Sequence, residues 1–144
     1  MPRSPTCRAT ATFRRLPVPS DPPLGILLLS GEHDRVHAAF LVAAGAAALG
    51  RAVVLFATNA GCRALLADWS GLTDAGRDER VRAAGVAGLD TLRDATRELG
   101  ARLLVCEAGL RAEGLDDAGF WPGVEVAGIA TFLSAVGTGQ IVSI

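Results

Sequence analysis

Residues Ala101-Arg102-Leu103-Leu104-Val105-Cys106 form a short apolar run that ends in a cysteine. A continuous run of this length is typical of a parallel strand that is covered on both faces of its sheet. The segment that follows, residues 107–115, is rich in small and turn-forming side chains. Cys106 is therefore predicted to lie at the carboxyl end of a buried strand. In open α/β sheets, that end borders the ligand crevice.

Strand and helix patterns alternate on both sides of this run. Further strands are predicted at residues 24–30, 51–57 and 140–144. Helices are predicted from about residue 34 to 49, at 60–69, at 89–99, from about 108 and at 124–136, with a helical turn at 116–121 and a surface loop at 70–80. This alternation predicts a parallel sheet with helices on both faces and right-handed crossovers.

The length and composition predict one domain. The chain has 144 residues, which is enough to bury a core, and residues 24–144 are predicted to form it. Residues 1–23 carry most of the prolines and several arginines, which predicts a flexible tail. The net charge of −1 argues against a nucleic-acid partner. The longest apolar stretch, residues 38–49, is far shorter than the ~20 residues of a membrane-spanning helix, so no membrane association is predicted.

The three cysteines indicate a reducing environment. Cys7 lies in the predicted tail, and neither Cys62 nor Cys106 has a CxxC partner, so no disulfide framework is predicted. A cytoplasmic protein is the simplest interpretation. The phosphate-binding P-loop, the dinucleotide-binding glycine loop and the GxSxG nucleophile motif are all missing from the sequence. The patterns of kinases, dehydrogenases and serine hydrolases are therefore not present, and no cofactor is predicted.

Two interpretations of Cys106 remain open on the residues alone. In the first it is a nucleophilic or sulfur-carrying thiol, because a helix that begins near Ala108 would direct backbone N–H groups at the sulfur and favour the thiolate. Arg111, one turn further on, would stabilise that thiolate, and Glu107 would oppose it. In the second interpretation Cys106 is a small buried hydrophobic residue, as free cysteines often are.

Three further residues are candidates for a site. Cys62 follows the second predicted strand and would either resolve an oxidised Cys106 or pack in the core. His33 follows the first strand, at the same edge of the sheet as Cys106, and would act as a proton carrier near neutral pH, with an exposed loop histidine as the alternative. His33 and His37 are one helical turn apart, but zinc needs three or four ligands and the sequence supplies no third, so no metal site is predicted.

Four stretches in their order and spacing resemble the DsrE/DsrF-like family of sulfur-relay proteins. The resemblance spans roughly residues 24–144, and the stretches that carry it are the first strand-to-helix connection (30–39), the second strand and its approach (47–58), the cysteine strand (99–106, with Gly114 eight residues later) and the final helix (124–133). The resemblance implies a three-layer α/β/α, Rossmann-like fold with a mainly parallel sheet of about five strands. It also implies a homo-oligomer: a dimer, trimer or hexamer.

The resemblance implies a small sulfur carrier or sulfurtransferase. Cys106 would hold sulfur as a persulfide and pass it to a partner thiol, so the expected partners are sulfur donor and acceptor proteins or small thiols. Gly109 and Gly114 would shape the backbone beside the cysteine. Two alternatives stay open: thiol redox chemistry of the peroxiredoxin type with either Cys62 or Cys106 of another subunit as resolving thiol, and a non-catalytic oligomeric binding module in which Cys106 is structural.

Overall fold

A computed structural model describes residues 21–144 and contains one five-stranded sheet. The strands are β1 (Leu24–Leu28), β2 (Val53–Ala57), β3 (Arg102–Cys106), β4 (Val124–Ala127) and β5 (Ile141–Ser143). The helices are α1 (His33–Ala48), α2 (Arg77–Ala83), α3 (Leu89–Glu98), α4 (Glu107–Ala112) and α5 (Ile129–Val136), and a 3₁₀ helix spans Asn59–Leu65. Residues 1–20 of the predicted tail, with Cys7, lie outside the described residues.

All neighbouring strands are parallel, and their order is β4-β3-β2-β1-β5. Helices cover both faces of the sheet, so the fold is the predicted three-layer α/β/α, Rossmann-like architecture. The apolar runs of the sequence follow from this arrangement. Along β2, Val53, Leu55 and Ala57 face one cluster of buried side chains, whereas Val54 and Phe56 face the other. A strand buried on both faces needs an apolar residue at every position.

The two faces carry clusters of different size. The larger cluster lies under α1 and α3 and includes Ile26, Leu55 and Phe40. The smaller cluster lies under α5, where the Phe132 ring stacks on Phe56 with 5.3 Å between ring centroids. Among the described residues, one helix of eight residues therefore covers the second face, and its attachment depends on few side chains.

Beside Cys106, the chain leaves the carboxyl ends of the neighbouring strands β3 and β4 toward opposite faces of the sheet. Cys106 of β3 is the register partner of Ala127 of β4. After β3 the chain enters α4, whose Leu110 packs in the larger cluster, and after β4 it enters α5, whose Phe132 packs in the smaller one. Divergence of this kind leaves room for a ligand beyond the carboxyl ends of the two strands. The cysteine predicted to end a strand lies at this point.

Four predicted elements were wrong in detail. Residues 124–136 form a strand and a helix instead of one helix, because Val124 and Val126 pair with β3 and Gly128 then begins α5. The predicted helix at 60–69 is a 3₁₀ helix that ends at Leu65. The predicted loop at 70–80 already contains the start of α2. The predicted helical turn at 116–121 is not helical, and Phe120 forms an isolated bridge instead.

Candidate functional site

Cys106 ends β3 and caps α4. Its backbone is extended, with φ −70° and ψ 120°, and its Sγ accepts a hydrogen bond from the backbone N–H of Gly109 at 3.3 Å. The residue packs in the smaller cluster and keeps 8% of its surface exposed. A donor N–H aimed at the sulfur is the arrangement that stabilises negative charge on that atom.

Cys62 is the second thiol of this region and differs from Cys106 in environment. It is fully buried in the 3₁₀ helix, and its Sγ donates to the carbonyl of Ala57 at 3.7 Å. Burial raises the pKa of the Cys62 thiol to about 11, and the nearby Cys106 sulfur and Glu113 carboxylate add to this, against the opposing effect of the Cys106 backbone N–H. Cys62 is therefore a neutral thiol at physiological pH.

Gly109 separates the two thiols. A Cβ atom at this position would lie 2.9 Å from the Cys62 sulfur and 3.0 Å from the backbone nitrogen of Asn59. The glycine lets α4 approach the 3₁₀ helix closely enough for its own N–H to reach Cys106. Gly114 has φ +67° in the turn that ends α4, a conformation that favours glycine. Both glycines thus lie at positions where a larger side chain would be strained or would clash.

Arg111 and Glu107 neutralise each other on the surface of α4. The Arg111 Nη2 donates to the Glu107 Oε1 at 2.8 Å, and both side chains are well exposed. The structure gives Arg111 no hydrogen bond to Cys106. The guanidinium predicted to assist the thiolate is thus paired with the carboxylate predicted to oppose it.

His33 is buried and fully hydrogen-bonded. It is the first residue of α1 and not a turn residue, and it has no exposed surface, which excludes the exposed-loop alternative. Its Nε2 lies 2.9 Å from the Asp78 Oδ1, and its Nδ1 lies 3.3 Å from the Arg77 Nη1. Trp69 and His37 flank the ring, each with 5.9 Å between ring centroids. Both ring nitrogens are therefore engaged by α2.

Asp78 connects three elements. It accepts the backbone N–H of Leu89 at 2.8 Å, contacts the His33 ring and pairs with Arg82. Burial alone would raise the pKa of the Asp78 carboxyl, but the Leu89 N–H, the His33 ring and the Arg82 charge outweigh it and lower the pKa. No sequence pattern indicates this contact, because Asp78 stands in a run of charged residues that is typical of a solvated face.

A second buried polar group was also missed. Arg93 is 2% exposed, its Nη2 donates to the Leu66 carbonyl at 2.6 Å, and its guanidinium carbon lies 4.4 Å from the centroid of the Trp121 ring. Burial lowers the pKa of Arg93. Its Nε is the one buried side-chain nitrogen or oxygen without a partner among the residues described. The contact fixes α3 against the segment before β4.

Within residues 21–144, no group of three or more histidine, cysteine, aspartate and glutamate side chains is arranged to hold a metal ion. The same part of the chain contains no helix that is both long and apolar enough to span a bilayer. A cavity of about 570 Å³ opens beyond β1 and β5 and is lined in part by Ser30, Glu32 and Arg35. Cys106 does not line this cavity.

Comparison with known proteins supports the fold. No family model and no curated protein matches the sequence. Among solved structures, the YchN protein of E. coli is similar, with a TM-score of 0.62 over 85% of this chain and 99% of that chain. YchN has a DsrE-like fold. The two sequences are 9% identical, so this similarity concerns the fold alone.

Gly109→Ala tests whether the close approach of α4 supports Cys106. The added methyl group would push against the Cys62 sulfur and the Asn59 backbone, and overpacking of this kind typically costs about 1–3 kcal/mol of unfolding free energy. We expect the same variant to react at a changed rate at Cys106, because its donor N–H moves. Urea unfolding and peptide-mapped alkylation measure the two effects.

Gly119→Ala is the matched control, because a Cβ atom there would meet no atom within 4 Å. The Gly119→Ala variant should leave both the free energy of unfolding and the alkylation rate of Cys106 unchanged. If Gly109→Ala behaves like Gly119→Ala, the close packing of α4 does not determine the environment of Cys106.

Proposed function

We propose that this protein is a small sulfur carrier that holds sulfur as a persulfide on Cys106 and passes it to a partner thiol. The observation that carries the proposal is the position of the Cys106 sulfur. It lies at the carboxyl end of β3, beside the edge strand β4, where the chain leaves these two strands toward opposite faces of the sheet, and it accepts the N–H of Gly109 at 3.3 Å. The DsrE-like fold of YchN is consistent with it.

The transfer is a thiol exchange in two steps. The Cys106 thiolate attacks the outer sulfur of a donor persulfide, the donor S–S bond breaks, and the donor leaves as a thiolate with the bonding electron pair. An acceptor thiolate then attacks the outer sulfur on Cys106, and Cys106 leaves as the thiolate. No net oxidation occurs, and the protein ends in its starting state. The Gly109 N–H stabilises the charge on Cys106 before the first step and after the second.

The different exposure of the two cysteines also fits this role. Cys106 keeps 8% of its residue surface exposed, whereas Cys62 has no exposed surface. The proposed exchange uses neither His33 nor Arg111, because His33 is engaged by α2 and Arg111 by Glu107.

The environment of Cys62 argues against Cys62 as the resolving thiol of a redox reaction. A resolving thiol must attack an oxidised Cys106 as a thiolate. Cys62 is fully buried, and burial raises its pKa to about 11. Its contacts are those of a packed core residue.

The test is intact-mass analysis after incubation with a small-molecule persulfide. We expect one added sulfur atom, retained through removal of the donor and lost when an acceptor thiol is added, because the exchange is reversible. Cys106→Ser should abolish the addition. Cys62→Ala and Cys7→Ser, which remove the other two thiols, should retain it. Absence of the added sulfur, or its presence in Cys106→Ser at the wild-type level, would contradict the proposal.

A further inference from the structure

A cavity between α1 and α2 has two arginines in its lining. It measures about 330 Å³ and is lined by His37, Arg77, Arg80, Val81, Ala84 and Val86. Binding sites for small molecules typically begin at about 300 Å³. The lining carries two guanidinium groups and no carboxylate, and one side of it is apolar. The cavity shares no lining residue with the surroundings of Cys106 described above.

Arg77 is the exceptional residue of this cavity. In the part of the chain that the structure describes, its guanidinium forms no ion pair, and its one side-chain hydrogen bond goes to the Nδ1 of His33 at 3.3 Å. Most other arginines of that part pair with a carboxylate, and Arg51 donates to the Pro22 carbonyl. Because a guanidinium has five N–H donors, most donors of Arg77 have no protein acceptor within residues 21–144.

His33 holds Arg77 in place without neutralising it. A guanidinium only donates, so the His33 Nδ1 must accept and its Nε2 must carry the proton, which it donates to the Asp78 Oδ1 at 2.9 Å. The His33 ring thus has one hydrogen-bonding arrangement. Asp78, in turn, is engaged by the Leu89 N–H and by Arg82. Arg77 is therefore a positioned cation whose charge is matched by no carboxylate within residues 21–144.

The remaining lining residues define what would fit beside Arg77. Arg80 contributes a second guanidinium, which is exposed and pairs with Asp74 at 3.2 Å. His37 is fixed by its Nε2 hydrogen bond to the Ala87 carbonyl at 2.8 Å. Val81, Ala84 and Val86 form an apolar wall. A cavity that combines a planar cationic fork with an apolar wall suits a small anion that has an apolar body.

We propose that this cavity binds a small organic carboxylate, with Arg77 and Arg80 at the carboxylate and Val81, Ala84 and Val86 against the apolar body. The planar guanidinium fork matches both carboxylate oxygens. The apolar wall distinguishes such a ligand from an inorganic anion. This site is independent of sulfur transfer at Cys106, so either proposal can fail without the other.

The test is an NMR titration of the full chain with hexanoate as the probe. We expect saturable amide shifts at Val81, Ala84 and Val86, and weaker binding of inorganic phosphate and of hexan-1-ol, which lack the apolar body and the charge respectively. Arg77→Gln should weaken binding by about tenfold or more, the effect of one lost charge-assisted contact. Arg51→Gln is the matched control, since Arg51 also lacks a carboxylate partner within residues 21–144 and lies outside the cavity. It should bind like the wild type.

Three results would overturn the proposal. They are the absence of saturable shifts at the lining residues, equal binding of hexan-1-ol or phosphate, and unchanged binding by Arg77→Gln. If Arg77→Gln does not fold, Arg80→Gln replaces it, because Arg80 is exposed and makes no contact with His33 among the hydrogen bonds of the described residues. Unchanged binding by Arg80→Gln would then overturn the role of the two arginines.

Discussion

Replacement of Phe132 by alanine is expected to lower the free energy of unfolding by about 3–5 kcal/mol, the usual cost of truncating a buried phenylalanine. Phe132 has no exposed surface, and its ring stacks on Phe56. The smaller cluster has few other members, so its neighbours can fill little of the space that the ring leaves. The change should appear in urea unfolding as a lower midpoint with an unchanged slope.

The variant has a second expected consequence at Cys106. Cys106 belongs to the cluster that α5 covers. Loosening of α5 should therefore expose the Cys106 sulfur and increase its rate of alkylation under native conditions. Leu133→Ala is the matched control, because Leu133 is the next residue of α5 and is 50% exposed. An equal loss of stability in both variants would show that Phe132 does not hold α5 to the sheet.

Asp78→Ala is expected to lower the free energy of unfolding by about 3 kcal/mol. The substitution leaves two buried donors without an acceptor, the Leu89 N–H and the His33 Nε2–H. Each unpaired buried donor costs about 1–3 kcal/mol. Thermal or chemical unfolding at neutral pH measures the loss, and Asp94→Ala is the control, because Asp94 is exposed and pairs with Arg97 on the surface of α3. The control should change stability by less than about 1 kcal/mol.

The pH dependence of the unfolding free energy distinguishes the loss of the Asp78 carboxylate charge from the loss of side-chain volume in Asp78→Ala. The pKa of Asp78 is lowered in the folded protein, so its contribution is fully present above the unfolded pKa of about 3.9 and is lost as the pH falls through the lower folded value. The difference in stability between wild type and Asp78→Ala should therefore shrink as the pH is lowered below about 4. A difference that stays constant from pH 7 to pH 3 would contradict the role of the carboxylate charge.

The sheet was predictable from the sequence because its strands are covered on both faces. Each of β1, β2 and β3 is a run of buried apolar residues, and such runs stand out in a sequence. The edge strand β4 was missed because its exposed pattern of valine, glutamate, valine and alanine precedes a helix without a proline between them. The alternation of Val124, Glu125 and Val126 is the strand signal that was available.

The buried polar contacts were not predictable from the sequence, because they depend on partners far along the chain. The buried residues of α3 are Leu89, Leu92, Arg93 and Thr96, so two of the four are polar. Arg93 is buried because Trp121 and the Leu66 carbonyl receive its guanidinium. His33 is likewise buried because Asp78, 45 residues later in the sequence, contacts its ring in the folded protein. Local sequence patterns do not indicate such long-range contacts.

The environment of Cys106 follows partly from sequence and partly from tertiary structure. Its place at the end of β3 follows from the apolar run that precedes it. The difference between the two thiols does not follow from any pattern, because it arises from the close approach of α4 and the 3₁₀ helix at Gly109. That approach buries Cys62 and directs the Gly109 N–H at Cys106.

The central claim is that Cys106 is the reactive thiol of this domain, and timed alkylation of the native protein tests it directly. Iodoacetamide labelling near pH 8, followed by peptide mapping, gives separate rates for Cys106 and Cys62. We predict that Cys106 is modified much faster, because Cys62 is fully buried and burial raises its pKa to about 11. Equal rates for the two residues, or modification of Cys106 only after unfolding, would contradict the claim.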